Sequence, residues 1–180
     1  MKKFAEKTIK REQIFSGRMI DLYLEQVTLP NGEQSSREIV RHPGAVAIIP
    51  ITDEGNIVMV EQYRKPLEKS LLEIPAGKLD PGEEPAQTAI RELEEETGYT
   101  TDQLTYLTSA YSSPGFSDEI LYIYLAEQLK ISASGRKLDE DEFVEVVEYR
   151  LEQLDELVAS QRIHDLKTIY AIQYLKLQQK

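Results

Sequence analysis

Apolar and polar positions change rhythm along the chain, and each rhythm predicts an element. Met19–Leu29 (MIDLYLEQVTL) alternates apolar and polar side chains over several pairs, the period of a strand with one covered face. Pro30-Asn31-Gly32 follows. Asn-Gly is a strong hairpin signal, so Ser35–Arg41 is read as the return strand. An earlier strand is expected within Glu6–Phe15. This ribbon has too little apolar content to bury itself, and is expected to pack on the rest of the chain or on a second subunit. His42-Pro43-Gly44 breaks the pattern. Gly44–Ile51 (GAVAIIPI) is then almost continuously apolar, as expected of a buried central strand. Thr52–Asn56 reads as a turn, Ile57–Arg64 as a strand, and Ser70–Gly77 as a short strand entering a Pro- and Gly-punctuated loop.

The rhythm then lengthens to that of a helix. Pro85 suits its first turn and Gly98 a left-handed C-terminal cap. Ala86, Ile90 and Leu93 mark the expected buried stripe, with Ala89 beside them. QLTYLTSAY (103–111) and EILYIYLAEQL (119–129) read as strands, joined by the loop SSPGFSDE. Ile131–Glu142 is a second loop and Phe143–Arg150 a strand. Leu151–Ser160 and Ile163–Gln179 read as helices, with Leu166, Ile169, Tyr170, Tyr174 and Leu177 on one face of the last. Mixed strands with one central helix and helices at the end predict α/β or α+β layering.

Composition removes several classes of function. Of the 180 residues, 41% are hydrophobic and 29% charged, ordinary values for a globular protein. No apolar run is long enough to span a membrane, and the charged N-terminus lacks the apolar stretch of a secretory signal. With no cysteine there are no disulfides or thiolate metal sites, which fits a cytoplasmic protein. The net charge of −11 disfavours unassisted binding to a nucleic-acid backbone, which needs a basic face. An acidic enzyme still acts on phosphates if it first recruits divalent cations.

One acidic segment admits two readings, a solvated helix with Arg91 in a surface ion pair or a face that meets positive charge. Gly77–Gly98 contains six glutamates, four of them within five residues. Like charges three or four positions apart on a helix repel by roughly 0.2–0.5 kcal/mol per pair. Glu92, Glu95 and Glu96 stand at i, i+3 and i+4, on one face that points outward or into a cleft. Three carboxylates on one face suit a hard, oxygen-seeking cation. Magnesium or manganese fits better than zinc, since cysteine is absent and the chain holds two histidines. Glu83 is placed to join from the loop, and Arg91 to pair with one of the acids and fix its orientation.

With those positions in view, GKLDPGEEPAQTAIRELEEETGY resembles the Nudix box of the Nudix hydrolases. The box runs glycine, five residues, glutamate, seven residues, then Arg-Glu-aliphatic-x-Glu-Glu-x-Gly-hydrophobic. Gly77, Glu83, Arg91, Glu92, Leu93, Glu95, Glu96, Gly98 and Tyr99 fill it. Tyr99 stands where the family usually has an aliphatic residue, at a position expected to pack. The resemblance implies a Nudix-type α/β/α sandwich with a mixed sheet, comprising residues 43–180 and preceded by an N-terminal β extension over residues 1–42.

The resemblance also implies hydrolysis of a diphosphate linked to another group, assisted by Mg2+, with Mn2+ as a possible substitute and two or more ions per site. Glu92 and Glu96 would ligate metal. Glu95 and Glu83 would ligate or support, and the carbonyl of Ala76 would join them. In some branches of the family the general base lies outside the box. Glu140 and Glu142 in the second acidic cluster are the candidates, one for the proton and the other for a metal, with Glu95 a further catalytic candidate.

Pro114, sixteen residues after Gly98, resembles a recurring mark of the ADP-ribose pyrophosphatase branch. That branch implies cleavage of ADP-ribose to AMP and ribose 5-phosphate, and a homodimer built through the β extension. Arg64 matches an EQxR segment of the branch and would grip the diphosphate, with Arg41 and Arg37 as further candidates. Glu119 would contact the terminal ribose or cap a strand. Tyr111 and Phe116 would line a nucleoside pocket or pack in the core. Another nucleoside diphosphate sugar as substrate, a non-catalytic ADP-ribose sensor and a plain acidic interaction protein are the alternatives.

Overall fold

Ten consecutive strand residues, Lys7–Ser16 (β1), are exposed at every position, because KTIKREQIFS offers no face that is apolar throughout. A computed structural model describes residues 3–136, 138 and 142–178. In it β1 pairs antiparallel with Asp21–Thr28 (β2), and β2 with Gln34–Arg41 (β3). The β2–β3 register runs from Asp21 opposite Arg41 to Thr28 opposite Gln34, as the Asn-Gly turn requires. Gly32 takes φ 91°, a value strained for other residues, and its N–H donates to the Leu29 carbonyl at 2.9 Å.

Glu25 of β2 is buried despite its charge. Thr8 Oγ1 and Arg11 Nε each donate to its carboxylate at 2.6 Å. The Thr8 bond, assisted by Arg11, holds its pKa below the usual range against the cost of burial. This unit takes in the chain up to Ala45 together with Ser109–Leu121. Within it, Val40 N–H donates to the Phe116 carbonyl at 2.8 Å, and Asp118 receives both Arg41 Nη1, at 2.7 Å, and the His42 N–H, at 3.0 Å.

The second unit comprises Val46–Thr108 and the chain from Tyr122 onward. After β3 the chain forms Ala45–Pro50 (β4), Ile57–Arg64 (β5), Lys69–Glu73 (β6) and Ala76–Lys78 (β7). The helix Pro85–Thr97 (α1) follows. Tyr99–Thr100 (β8), Gln103–Tyr111 (β9), Ile120–Glu127 (β10), Lys130–Ile131 (β11) and Val144–Tyr149 (β12) come next. A 3-10 turn at Leu151–Gln153 leads into Leu154–Ala159 (α2), and Leu166–Gln178 (α3) closes the order. The strands form one sheet ordered β7-β4-β10-β9, another ordered β12-β5-β6, and the pair β11-β8. Their lengths and the central helix match the α/β layering that the pattern predicts.

The core explains where α1 sits. Val46 and Ile48 of β4 and Tyr124 and Ala126 of β10 pack on Ala89 and Leu93 of α1. The apolar run at β4 is fully buried from Val46 to Ile49, as its composition requires. Two expected stripes need correction. On α1, Ala86 is exposed and Ile90 half-buried, whereas Thr88, Ala89, Glu92, Leu93 and Glu96 are buried. Ala86 lies in the first turn, and the core begins one turn later. On α3, Leu166 and Leu177 are exposed, and Thr168, Ala171 and Ile172 face inward. Apolar residues surround α3, so their spacing does not select a face. The small residues do, by letting Thr168 Oγ1 accept the Ile74 N–H at 2.9 Å. The short pair β8–β11 escapes prediction because two-residue strands carry no periodicity.

Candidate metal centre

Helix α1 presents its carboxylates inward. Glu92 and Glu96 are 8% and 5% exposed, so of the two orientations expected, outward or into a cleft, the outward one is excluded for these two. Glu94 points elsewhere and pairs with Arg136 at 2.9 Å. The i, i+3, i+4 spacing thus separates Glu92, Glu95 and Glu96 from their neighbour.

Space for Glu92 comes from Gly77. A Cβ built there would stand 1.9 Å from the Glu92 carboxyl carbon, a distance no side chain tolerates. Gly77 has no positive φ, so this glycine is fixed by the carboxylate beside it and not by its backbone angles.

Arg91 gathers the other acids. Its Nη2 donates to Glu83 at 2.9 Å, and its Nη1 to Glu92 at 2.8 Å and to Glu95 at 2.9 Å. A further bond reaches the Lys78 carbonyl at 3.2 Å. Glu83 also accepts Thr88 Oγ1 at 2.8 Å, and Arg91 holds its carboxyl below the usual range. Glu95 and Glu83 therefore lie on the guanidinium. Among the described residues no three carboxylates stand together as a ready-made ligand group.

Glu92 and Glu96 are left with more negative charge than their surroundings compensate. Burial pushes Glu92 up to about 7 in spite of Arg91. Burial pushes Glu96 up to about 8, and the charge of Glu92 adds to the effect. The Ala76 N–H, 3.1 Å from Glu96 Oε2, and the charge of Arg64 oppose that rise without cancelling it. The charge of Glu142 pushes both acids the same way, which brings this candidate within electrostatic reach of the pair. Glu140 lies outside the described residues. Two buried carboxylates, both raised toward neutrality by burial, are oxygen ligands of the kind a hard divalent cation takes, and such a cation would compete with their protons.

The remaining candidates divide between the units. Arg64 ends β5, and its Nε and Nη2 both bond Glu73 at 2.7 Å. Arg41 pairs with Asp118, and Arg37 with Glu6 at 2.6 Å, both within the first unit. Pro114 occupies the second position of the turn Ser113–Phe116, where a fixed φ is favourable, and is exposed. Glu119 accepts a hydrogen bond from Ser112 Oγ. Tyr111 and Phe116 are 59% and 57% exposed, which removes core packing as their role. Tyr99 packs on the α1 core cluster and donates its hydroxyl to Glu148 at 3.1 Å, as expected of a packing position. Sequence reading passed over Glu73, Lys167 and Thr88. For Glu73 a signal exists: a charge inside the apolar strand SLLEI requires a buried partner.

Comparison with known proteins places the chain in a family. The NUDIX domain profile matches residues 41–171. The chain is 62% identical to the ADP-ribose pyrophosphatase of Bacillus subtilis (strain 168), over 99% of this chain and 97% of that one. It is 58% identical to the methanol dehydrogenase activator of Bacillus methanolicus, over 99% and 96% of the two chains. A crystal structure of an ADP compounds hydrolase superposes with a TM-score of 0.83 at 24% identity, covering 96% of this chain and 95% of that one, and so shares the fold. Nudix hydrolases generally use divalent metal ions. Among the described residues no helix is long and apolar enough to cross a membrane. A profile match over most of the chain, on a helix whose buried acids fit such ions, shows that the chain belongs to the Nudix family.

Proposed function

We propose that this chain hydrolyses ADP-ribose to AMP and ribose 5-phosphate with Mg2+ as its physiological ion and Mn2+ as a substitute. The observation that carries the reading is the buried pair Glu92 and Glu96, both raised toward neutrality and both beside Ala76 or Arg91. High identity to an ADP-ribose pyrophosphatase supports the substrate.

Bound divalent ions, two or more, would neutralise the diphosphate and lower the pKa of an attacking water. Glu92 and Glu96 would hold them, with the Ala76 carbonyl alongside. Glu83 and Glu95 would ligate or support from Arg91, which fixes the orientation of all three box acids that it touches. Glu142, whose charge is felt by this pair, or Glu140 would serve as the base. Arg64 would take the diphosphate, since a guanidinium fits two phosphate oxygens at once. Arg41, Arg37, Pro114 and Glu119 would contact the rest of the substrate, with Tyr111 and Phe116 at the nucleoside. Residues 1–42 would form the extension through which two copies pair, a role consistent with the exposed Ile9, Ile14 and Phe15 of β1. A cytoplasmic location completes the reading.

Product analysis tests it. AMP and ribose 5-phosphate should form faster from ADP-ribose than the corresponding products from other nucleoside diphosphate sugars, and only with a divalent ion present. Binding of ADP-ribose without turnover would instead identify a sensor. The likeness to a methanol dehydrogenase activator favours a second reading, in which the chain stimulates an alcohol dehydrogenase. Adding the protein to such an enzyme, with and without Mg2+, tests that directly.

A further inference from the structure

Strand β6 carries a charge that the site as described does not use. Glu73 is 2% exposed, between the buried Leu72 and Ile74. A carboxylate in such surroundings is costly unless paired and fully hydrogen-bonded. Its pairing is lopsided. Lys167 Nζ reaches one oxygen, Oε2, and is itself tied to Asp165 at 3.0 Å. Arg64 spans both oxygens, Nε to Oε1 and Nη2 to Oε2. Burial works against the Glu73 charge, but the Arg64 bonds and the Lys167 charge hold its pKa below the usual range.

Buried ion pairs are weak contributors to stability, since apolar residues of similar volume often do as well. What this pair does give is direction. A guanidinium has five N–H donors in a rigid plane. Glu73 takes the side edge, Nε and one proton of Nη2. The end edge, Nη1 with the second proton of Nη2, lies on the same rigid plane and has no recorded partner among the described residues. The Arg64 side chain is 38% exposed, so the pair has one buried and one solvent-facing member. Its charge is felt at Glu96, and Glu73 stands three residues before Ala76, whose N–H bonds Glu96. The end of β6 thus holds the arginine's anchor, and the start of β7, after two intervening residues, the support of the buried glutamate.

We propose that Glu73 is a positioning residue for substrate: it locks the side edge of Arg64 so that the end edge forms a fixed fork for two oxygens of the diphosphate. The proposal rests on the reading of Arg64 given above. Lys167 offsets the remaining charge on Oε2, which lets the carboxylate stay ionised while shared.

Steady-state kinetics on ADP-ribose with the wild type, Arg64→Ala, Glu73→Gln and the double variant test it. Glu73→Gln keeps the shape and removes the charge. It should raise KM about 10- to 100-fold with a smaller change in kcat, the scale of loss when a supporting group is removed or a contact misplaced. Arg64→Ala should raise KM at least as much, and the double variant should be no worse than Arg64→Ala alone. Wild-type KM in Glu73→Gln, or losses that multiply in the double variant, would overturn the proposal. If circular dichroism shows Glu73→Gln unfolded, Glu73→Asp replaces it, retaining the charge and drawing it back. The same KM rise, again silent on the Arg64→Ala background, is expected, and multiplying losses overturn the proposal. Unchanged KM in Arg64→Ala would bring down the reading of Arg64 itself. Unchanged KM in Glu73→Gln alone would leave that reading standing and remove only the positioning role.

Discussion

Adding one methyl group at Gly77 should silence the enzyme while leaving it folded. The new Cβ would meet the Glu92 carboxyl carbon at 1.9 Å and its two oxygens at 2.0 and 2.3 Å, where ordinary contact begins at 3.4 Å. The carboxylate must therefore retreat by about 1.5 Å. Glu92 reaches this point at the end of a flexible side chain, and the Gly77 backbone has no positive φ, so alanine strains neither helix nor strand. The stability cost is on the order of 1 kcal/mol, which for a chain of this length shifts Tm by about 2–4 °C. The chemical cost is far larger. A displacement of ~1 Å in a site group lowers turnover about 100-fold, and the shift also breaks the 2.8 Å contact with Arg91. Thermal melts and kcat at saturating ADP-ribose, over a series of Mg2+ concentrations, read both effects. A Gly77→Ala variant with normal kcat and normal Mg2+ dependence would refute the assignment of Glu92 to the metal centre.

Three other outcomes follow from the same geometry. Glu96→Gln should lower turnover by about three orders of magnitude or more while the melt stays cooperative, and the rise in Tm that Mg2+ gives the wild type by mass action should vanish. Arg91→Lys should raise the Mg2+ concentration needed for half-maximal rate, because one ammonium cannot span Glu83, Glu92, Glu95 and the Lys78 carbonyl together. Without metal, stability should fall as pH rises. Glu92 and Glu96 titrate near 7 and 8 in the fold, above their ordinary 4.5, so the folded state keeps protons that the unfolded chain releases. Their contribution is fully present below about pH 4.5 and lost by about pH 8. Tm of the metal-free protein should drop across pH 5–8 and Mg2+ should flatten the drop. A level or rising metal-free profile would contradict the burial argument.

The acid spacing was legible from the chain, and so was the helix that carries it, because i, i+3, i+4 fixes a shared face whatever surrounds it. The direction of that face was not. The stripe of Ala86, Ile90 and Leu93 left the acids facing outward or into a cleft, and in the fold Glu92 and Glu96 are buried beside Leu93. The strands read well wherever the apolar run was continuous, as at β4, or bounded by Asn-Gly, as between β2 and β3. Helix α3 misled because apolar residues surround it and two small ones, Thr168 and Ala171, decide the packing. Arg64 was visible through its motif, but its anchor was not. The charge of Glu73 inside an apolar strand signals that a buried partner exists, but only the pairing of β5 with β6 shows that the partner is Arg64.

The central claim is that divalent cations compensate the buried charge of Glu92 and Glu96. Crystals soaked in Mn2+ and measured at the manganese absorption edge test it most directly. An anomalous peak bonded to Glu96, weakened or lost in Glu96→Gln crystals, is the result expected here. Ordered carboxylates with no peak beside them, or manganese bound elsewhere on the protein, would contradict the account.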